Sequence, residues 1–86
     1  MHAHLTTHAR VRMQQRGIPP AALDLLLDWG REAHDHRGCR IVQFDKRSRR
    51  RAARVLGETY RRIERWLDAY AVIGADDAVV TVGWRR

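Results

Sequence analysis

The order of patterns along this chain predicts an α+β fold: an N-terminal helical hairpin, then an antiparallel four-stranded sheet with an inserted basic helix, in the order ααββαββ. Three observations carry that expectation. Two helix-like segments meet at Gly17-Ile18-Pro19-Pro20, where a helix cannot continue. Four short, strand-like segments fall into two pairs, each folded around turn residues. Between the pairs runs a polar stretch whose apolar residues recur at helical spacing.

Each element has a local cause. Thr6 or Thr7 can cap a first helix that runs to about Arg16, and Gly17 supplies the left-handed residue that ends it. Proline is tolerated in a first helical turn, so Ile18-Pro19-Pro20 opens a second helix, Ala21 to Trp29. Ala22, Leu25, Leu26 and Trp29 share one of its faces, and Gly30 closes it. Arg31–His36 and Cys39–Asp45 read as two strands around an Arg37-Gly38 turn, with Ile41 and Phe44 placed near the core. Asp45 or Ser48 can cap the third helix. Leu56, Tyr60, Ile63, Leu67 and Tyr70 recur at spacings of four, three, four and three, a stripe that continues through at least Leu67, with Gly57 either tolerated or marking a break. Tyr70–Gly74 and Ala78–Trp84 form the closing hairpin around Ala75-Asp76-Asp77.

Composition narrows the function classes. Eighty-six residues suit one small domain, and 44% apolar residues suffice for a modest core. No apolar run approaches the ~18 residues needed to cross a bilayer, and Met1–Thr7 lacks the apolar centre of a secretory leader. A lone Cys39 forms no intramolecular disulfide, cannot build a four-cysteine zinc site and fits a reducing cytoplasm. The formal net charge is +7, and sixteen of the seventeen basic residues are arginine, Lys46 being the exception. Arginine's planar fork matches phosphate, so this excess points to a nucleic acid, with an acidic protein partner or a solvated face as the alternatives.

Two clusters of charge stand out. The first is Lys46, Arg47, Arg49, Arg50, Arg51 and Arg54, six basic residues at the start of the third helix. Cations oppose the helix dipole there, and a bound phosphate would relieve the conflict; an acidic protein would do so equally well. Arg37 and Arg40, flanking the first hairpin, are further candidate contacts. The second cluster is His8, Arg12 and Arg16, spaced by four and therefore aligned on one helix face, with Ala9 and Met13 available to face the core. Histidine suits proton transfer near neutral pH, and arginine suits a developing phosphorane charge. The bland alternative is a solvated row in which Arg12 or Arg16 pairs with Asp24 or Asp28. Two H-x-H pairs, His2/His4 and His34/His36, have no carboxylate or cysteine at a recognisable ligand spacing, so no metal is expected. Trp29, Trp66 and Trp84 are candidates for base stacking or for the core.

Three stretches also resemble a known family. His8–Ile18 looks like the opening signature of domain-of-unknown-function family 4258, Cys39–Asp45 sits where that family has its second strand, and Leu67–Ile73 with Val79–Arg85 looks like its closing hairpin. That family is similar to the barnase–EndoU–colicin–RelE fold group, which contains metal-independent ribonucleases and toxins. The resemblance implies a single RelE-like domain over residues 1–86, cytoplasmic, with RNA as substrate and an acidic antitoxin-like protein as a possible partner. It implies cleavage by the RNA's own 2′-hydroxyl without a cofactor. His8 would move protons, Arg12 and Arg16 would hold the phosphate, and Thr81 and Arg85 would assist from the sheet. A non-catalytic nucleic-acid-binding module and an adaptor for an acidic protein remain the other readings. The basic helical insertion departs from the simplest form of the family.

Overall fold

In the computed structural model, which describes residues 4–35 and 37–85, Thr6 is extended and its hydroxyl accepts the Ala9 N–H, opening α1 (Thr7–Arg16). Gly17 adopts φ 64°, and the Ile18 N–H closes the helix end on the Met13 carbonyl at 2.9 Å. Helix α2 (Pro20–Trp29) begins on proline as expected and buries Ala22, Leu23 and Leu26, with Leu25 and Trp29 half-buried beside them. Gly30 ends α2 at an ordinary φ of −71°, so its need is spatial. A Cβ there would stand 2.6 Å from the Leu26 carbonyl oxygen and 2.9 Å from Val42 Cγ1. Only glycine lets the chain turn this tightly from helix into sheet.

The sheet consists of β1 (Arg31–His34), β2 (Arg40–Gln43), β3 (Ala69–Ile73) and β4 (Val79–Trp84), in spatial order β1-β2-β3-β4 with every neighbour antiparallel. Val42, Ala71 and Val82 lie opposite one another across three strands and are all buried. Helix α1 covers β4, and α2 covers β3 and β2 on that same face. The other face is the more open one among the described residues. It presents the cross-strand rows Arg31–Gln43–Tyr70–Gly83 and Ala33–Ile41–Val72–Thr81. Alternation therefore runs in the opposite phase from the one expected at Ile41: Val42 faces the core and Ile41 is half-buried on the open side. Phe44 is buried as expected; two residues on from Val42, it shares the core-facing parity of the strand it follows.

Asp45 caps α3 (Lys46–Leu56), and Gly57, at φ 56° and ψ −122°, ends it. A shorter α4 (Glu58–Ile63) and a 3-10 turn at Glu64–Trp66 lead back to β3. The apolar stripe survives the break: Leu56 and Tyr60 are half-buried, Ile63 and Leu67 buried. Tyr70, the next residue at that spacing, belongs to β3, the strand expected to include it. In the β3–β4 turn the Gly74 N–H donates to the Ala78 carbonyl at 2.8 Å and the Asp77 N–H to the Gly74 carbonyl at 2.9 Å, with Asp77 in the left-handed region at φ 66°. Among the described residues no helix is long and apolar enough to cross a membrane.

The two sheet edges differ. Along β4, the Val79 N–H donates to the His4 carbonyl at 2.8 Å and the Val79 carbonyl accepts the Thr6 N–H at 3.0 Å. Thr6 Oγ1 donates to the Val80 carbonyl, and Arg16 Nη1 to the Val82 carbonyl at 2.9 Å. The indole N–H of Trp84 donates to the Arg16 carbonyl at 2.7 Å, so α1 is tied to β4 at both its ends. All four residues of β1 are exposed.

Candidate nucleic-acid interface

The basic segment becomes an organised surface because α3 starts on a strong cap. Asp45 Oδ1 accepts the Ser48 N–H at 2.8 Å, while Ser48 Oγ accepts the Asp45 N–H at 2.9 Å, forming a reciprocal capping box. The carboxylate stands where the helix dipole favours a negative charge. The conflict expected from a basic first turn is therefore answered inside the chain, and an external anion is not needed to hold this helix. The Ser48 backbone N–H, then its hydroxyl, hold the Asp45 carboxyl below its usual range; partial burial opposes them and Arg31, at 3.4 Å, assists.

That direction fixes a pH dependence. A carboxylate whose folded pKa is depressed adds stability that is fully present above the unfolded value of 3.8 and is lost as pH falls through the folded one. Asp45→Asn keeps a capping side chain without the charge. The gap in thermal midpoint between wild type and Asp45→Asn is expected to narrow as pH is lowered from neutral toward about pH 2. A gap that stays constant across the titration would show that the ionised carboxylate does not support the cap.

Helical geometry sorts the basic residues. At about 100° per residue, Arg47, Arg50, Arg51 and Arg54 fall within an arc of about 100°. Ser48 and Ala52, which are buried, point the other way. Together with Arg31 from β1 and Asp45, the four arginines line one open groove. Arg47, Arg50 and Arg54 have no hydrogen bond or ion pair among the described residues, and all three are exposed. Arg51 is held: its Nη2 donates to the Trp29 carbonyl at 3.4 Å, and its guanidinium carbon lies 5.9 Å from the centre of the Trp29 ring.

The other expected contacts lie elsewhere. Arg49 turns toward the sheet, pairing with Asp68 at 2.8 Å and donating to the Leu67 carbonyl at 3.3 Å. Arg40 pairs with Glu32 at 3.5 Å and with Asp77, which gives Asp77 a role beyond the turn. Arg37 sits in the β1–β2 turn, its N–H donating to Asp35 Oδ1, and Lys46 is exposed at the first position of α3. Arg31, by contrast, is a groove residue that sequence reasoning missed. Its only sequence cue was its position at a strand start, and the Asp45 it meets lies fourteen residues away.

The expected reaction centre does not assemble as a unit. Ala9 and Met13 anchor α1 in the core, which leaves His8 exposed, and Arg12 Nε donates to His8 Nε2 over a long 3.4 Å. Arg12 Nη1 also reaches Gln15 Oε1 at 3.3 Å. Arg16 leaves this pair for the β4 edge, where it and the Tyr70 ring occupy the space that a side chain on Gly83 would fill. Thr81 pairs with Val72 on the open sheet face, opposite the face that α1 covers. Arg85 donates from Nη1 to the Phe44 carbonyl at 2.6 Å. Neither Asp24 nor Asp28 forms an ion pair among the described residues.

Sheet order also separates the two clusters. The groove lies at β1, and His8–Arg12 lies on the helix that covers β4. Three interstrand steps of about 4.8 Å separate β1 from β4, so the two clusters lie toward opposite edges of the sheet. Half of each H-x-H pair, His2 and His36, lies outside the described residues. Among the described residues no three His, Cys, Asp or Glu side chains gather as metal ligands do. Trp66 carries Arg65 over its ring at 5.5 Å, and Trp84 is fixed by its bond to α1. No family model, curated protein or solved structure matches this chain.

Proposed function

We propose that this protein binds RNA, gripping the phosphate backbone with the arginine face of α3. The observation that carries the reading is the groove itself: Arg47, Arg50 and Arg54 project together, beside Arg31 and Arg51, without acidic partners of their own. The one carboxylate that lines the groove among the described residues, Asp45, is engaged in the helix cap. Unpaired guanidinium groups on one face suit a polyanion, which releases its counterions on binding. RNA is the polyanion favoured by the family resemblance of the three motifs.

A second reading, metal-independent endonucleolytic cleavage by a toxin-like module, is favoured by the His8–Arg12 contact. Accepting this hydrogen bond makes Nε2 the unprotonated nitrogen of His8, a base once the substrate hydroxyl displaces Arg12 from it. In such a cleavage the 2′-oxygen attacks phosphorus as His8 removes its proton. The 5′-oxygen leaves with a proton from solvent or a second acid, and a 2′,3′-cyclic phosphate remains. Arg12 would lie close enough to meet the phosphorane charge.

Incubating the protein with RNA in EDTA, across a salt series, separates these readings. Binding that weakens steeply with salt is expected for the grip. Cleavage by wild type and its loss in His8→Ala, with binding intact, is expected for the enzyme. Binding without cleavage leaves a non-catalytic RNA-binding module, and salt-independent affinity removes the RNA reading altogether.

A further inference from the structure

We infer that Arg51, held over Trp29, is a base-stacking platform that makes the α3 groove selective for unpaired nucleotides. The inference rests on the RNA reading and adds a discriminating residue to it. Arg51 differs from the other arginines of that helix face. Arg47, Arg50 and Arg54 have no partner among the described residues, which suits a backbone contact that must follow a flexible chain. Arg51 is oriented from two sides: a hydrogen bond to the Trp29 carbonyl at 3.4 Å and the Trp29 ring 5.9 Å away. A guanidinium already fixed loses less rotamer freedom when a ligand arrives.

Its chemistry fits a base better than a phosphate. The guanidinium carbon lies 5.9 Å from the centre of the Trp29 indole, and the residue as a whole remains exposed on the groove. A nucleobase laid on the exposed guanidinium would stack on a cation that Trp29 already holds in place. Such stacking is available to every base but only when the base is out of a duplex. Flanking positions reinforce the assignment. Arg47 lies one turn before Arg51 and Arg54 one turn after, so phosphates on either side of a stacked nucleotide each meet an arginine.

The substitution that isolates the plane from the charge is Arg51→Lys. It is compared with wild type on an oligoribonucleotide of about ten nucleotides carrying 2-aminopurine, single-stranded and annealed to its complement. Wild type is expected to prefer the single strand on the order of ten-fold and to quench the probe. Arg51→Lys is expected to bind the single strand no better than the duplex, without quenching, and with the salt dependence of wild type. An unchanged preference in Arg51→Lys, or none in wild type, overturns the platform while leaving the RNA reading intact. Failure of wild type to bind either form overturns both.

Discussion

Replacing Arg47, Arg50 and Arg54 together by alanine is expected to weaken RNA binding on the order of fifty-fold at physiological salt. The magnitude follows from counterion release. Each phosphate neutralised on a single strand contributes about −0.7 to the slope of log affinity against log salt, or roughly a four-fold gain near 0.15 M. Three such contacts multiply to the stated factor and should flatten the measured slope by about two units. Fluorescence anisotropy across a salt series reads both quantities. The same substitutions should leave the melting temperature nearly unchanged, because the three side chains are exposed and pair with nothing described. Arg49→Ala is the contrasting control. Its guanidinium ties α3 to Asp68 and the Leu67 carbonyl, so its loss should loosen the attachment of α3 more than it weakens binding. Equal affinity and slope in the triple variant and wild type would remove the groove as the RNA contact.

The largest expected effect on stability comes from Phe44→Ala. This is the chain's single phenylalanine and heads the fully buried side chains. Truncating a buried phenylalanine costs about 3–5 kcal/mol through lost transfer energy and the cavity left behind. A domain of this length holds roughly 4–13 kcal/mol in total, so the variant should melt about 20 °C lower and lie close to unfolding at body temperature. Thermal melts by circular dichroism measure it. Phe44→Leu, which refills much of the volume, should recover most of the loss. A midpoint within a few degrees of wild type in the alanine variant would mean that the ring does not fill the core. The consequence reaches the groove as well. Phe44 precedes the Asp45 cap, and its carbonyl accepts Arg85 Nη1, so the same residue positions the start of α3.

What could be read from residue order was mainly what local chemistry decides. Thr6 and Gly17 bound α1 because a hydroxyl cap and a left-handed glycine act within one turn. Pro20 sets α2, and short turns pair β1 with β2 and β3 with β4, whereas the β2–β3 pairing spans the helical insertion and has no local cause. The errors came where tertiary contacts choose between local options. Ile41 and Val42 are both good strand residues, and the choice of which faces inward falls to Ala71 across the ladder and to Gly30 against Val42 Cγ1. Gly57 left both a continuous helix and a break open, and its φ of 56° decides for the break.

The candidate site divides along the same line. Helical periodicity places Arg47, Arg50, Arg51 and Arg54 together, since that alignment depends only on the helix. It could not show that Arg49 would find Asp68, that Arg40 would find Asp77, or that Arg31 would join the groove, because each pairing crosses between elements. Nor could charge counting show that Asp45 already supplies the negative charge that α3 prefers at its start. His8 and Arg12 meet as their spacing requires, whereas Arg16 is drawn away by a carbonyl of β4.

The unequal treatment of the two sheet edges has a consequence for assembly. Growth of a ribbon by strand pairing requires every copy to offer two free edges, one for each neighbour. Here Val79, Val80 and Val82 of β4 are engaged by the segment before α1 and by Arg16, while the residues of β1 are exposed. Among the described residues β1 is therefore the more open edge, and a copy that joins another through β1 has used it. Side-by-side pairing of these sheets through β1 would therefore stop at two copies, and an arginine-rich chain built this way would not extend into a ribbon along its own backbone.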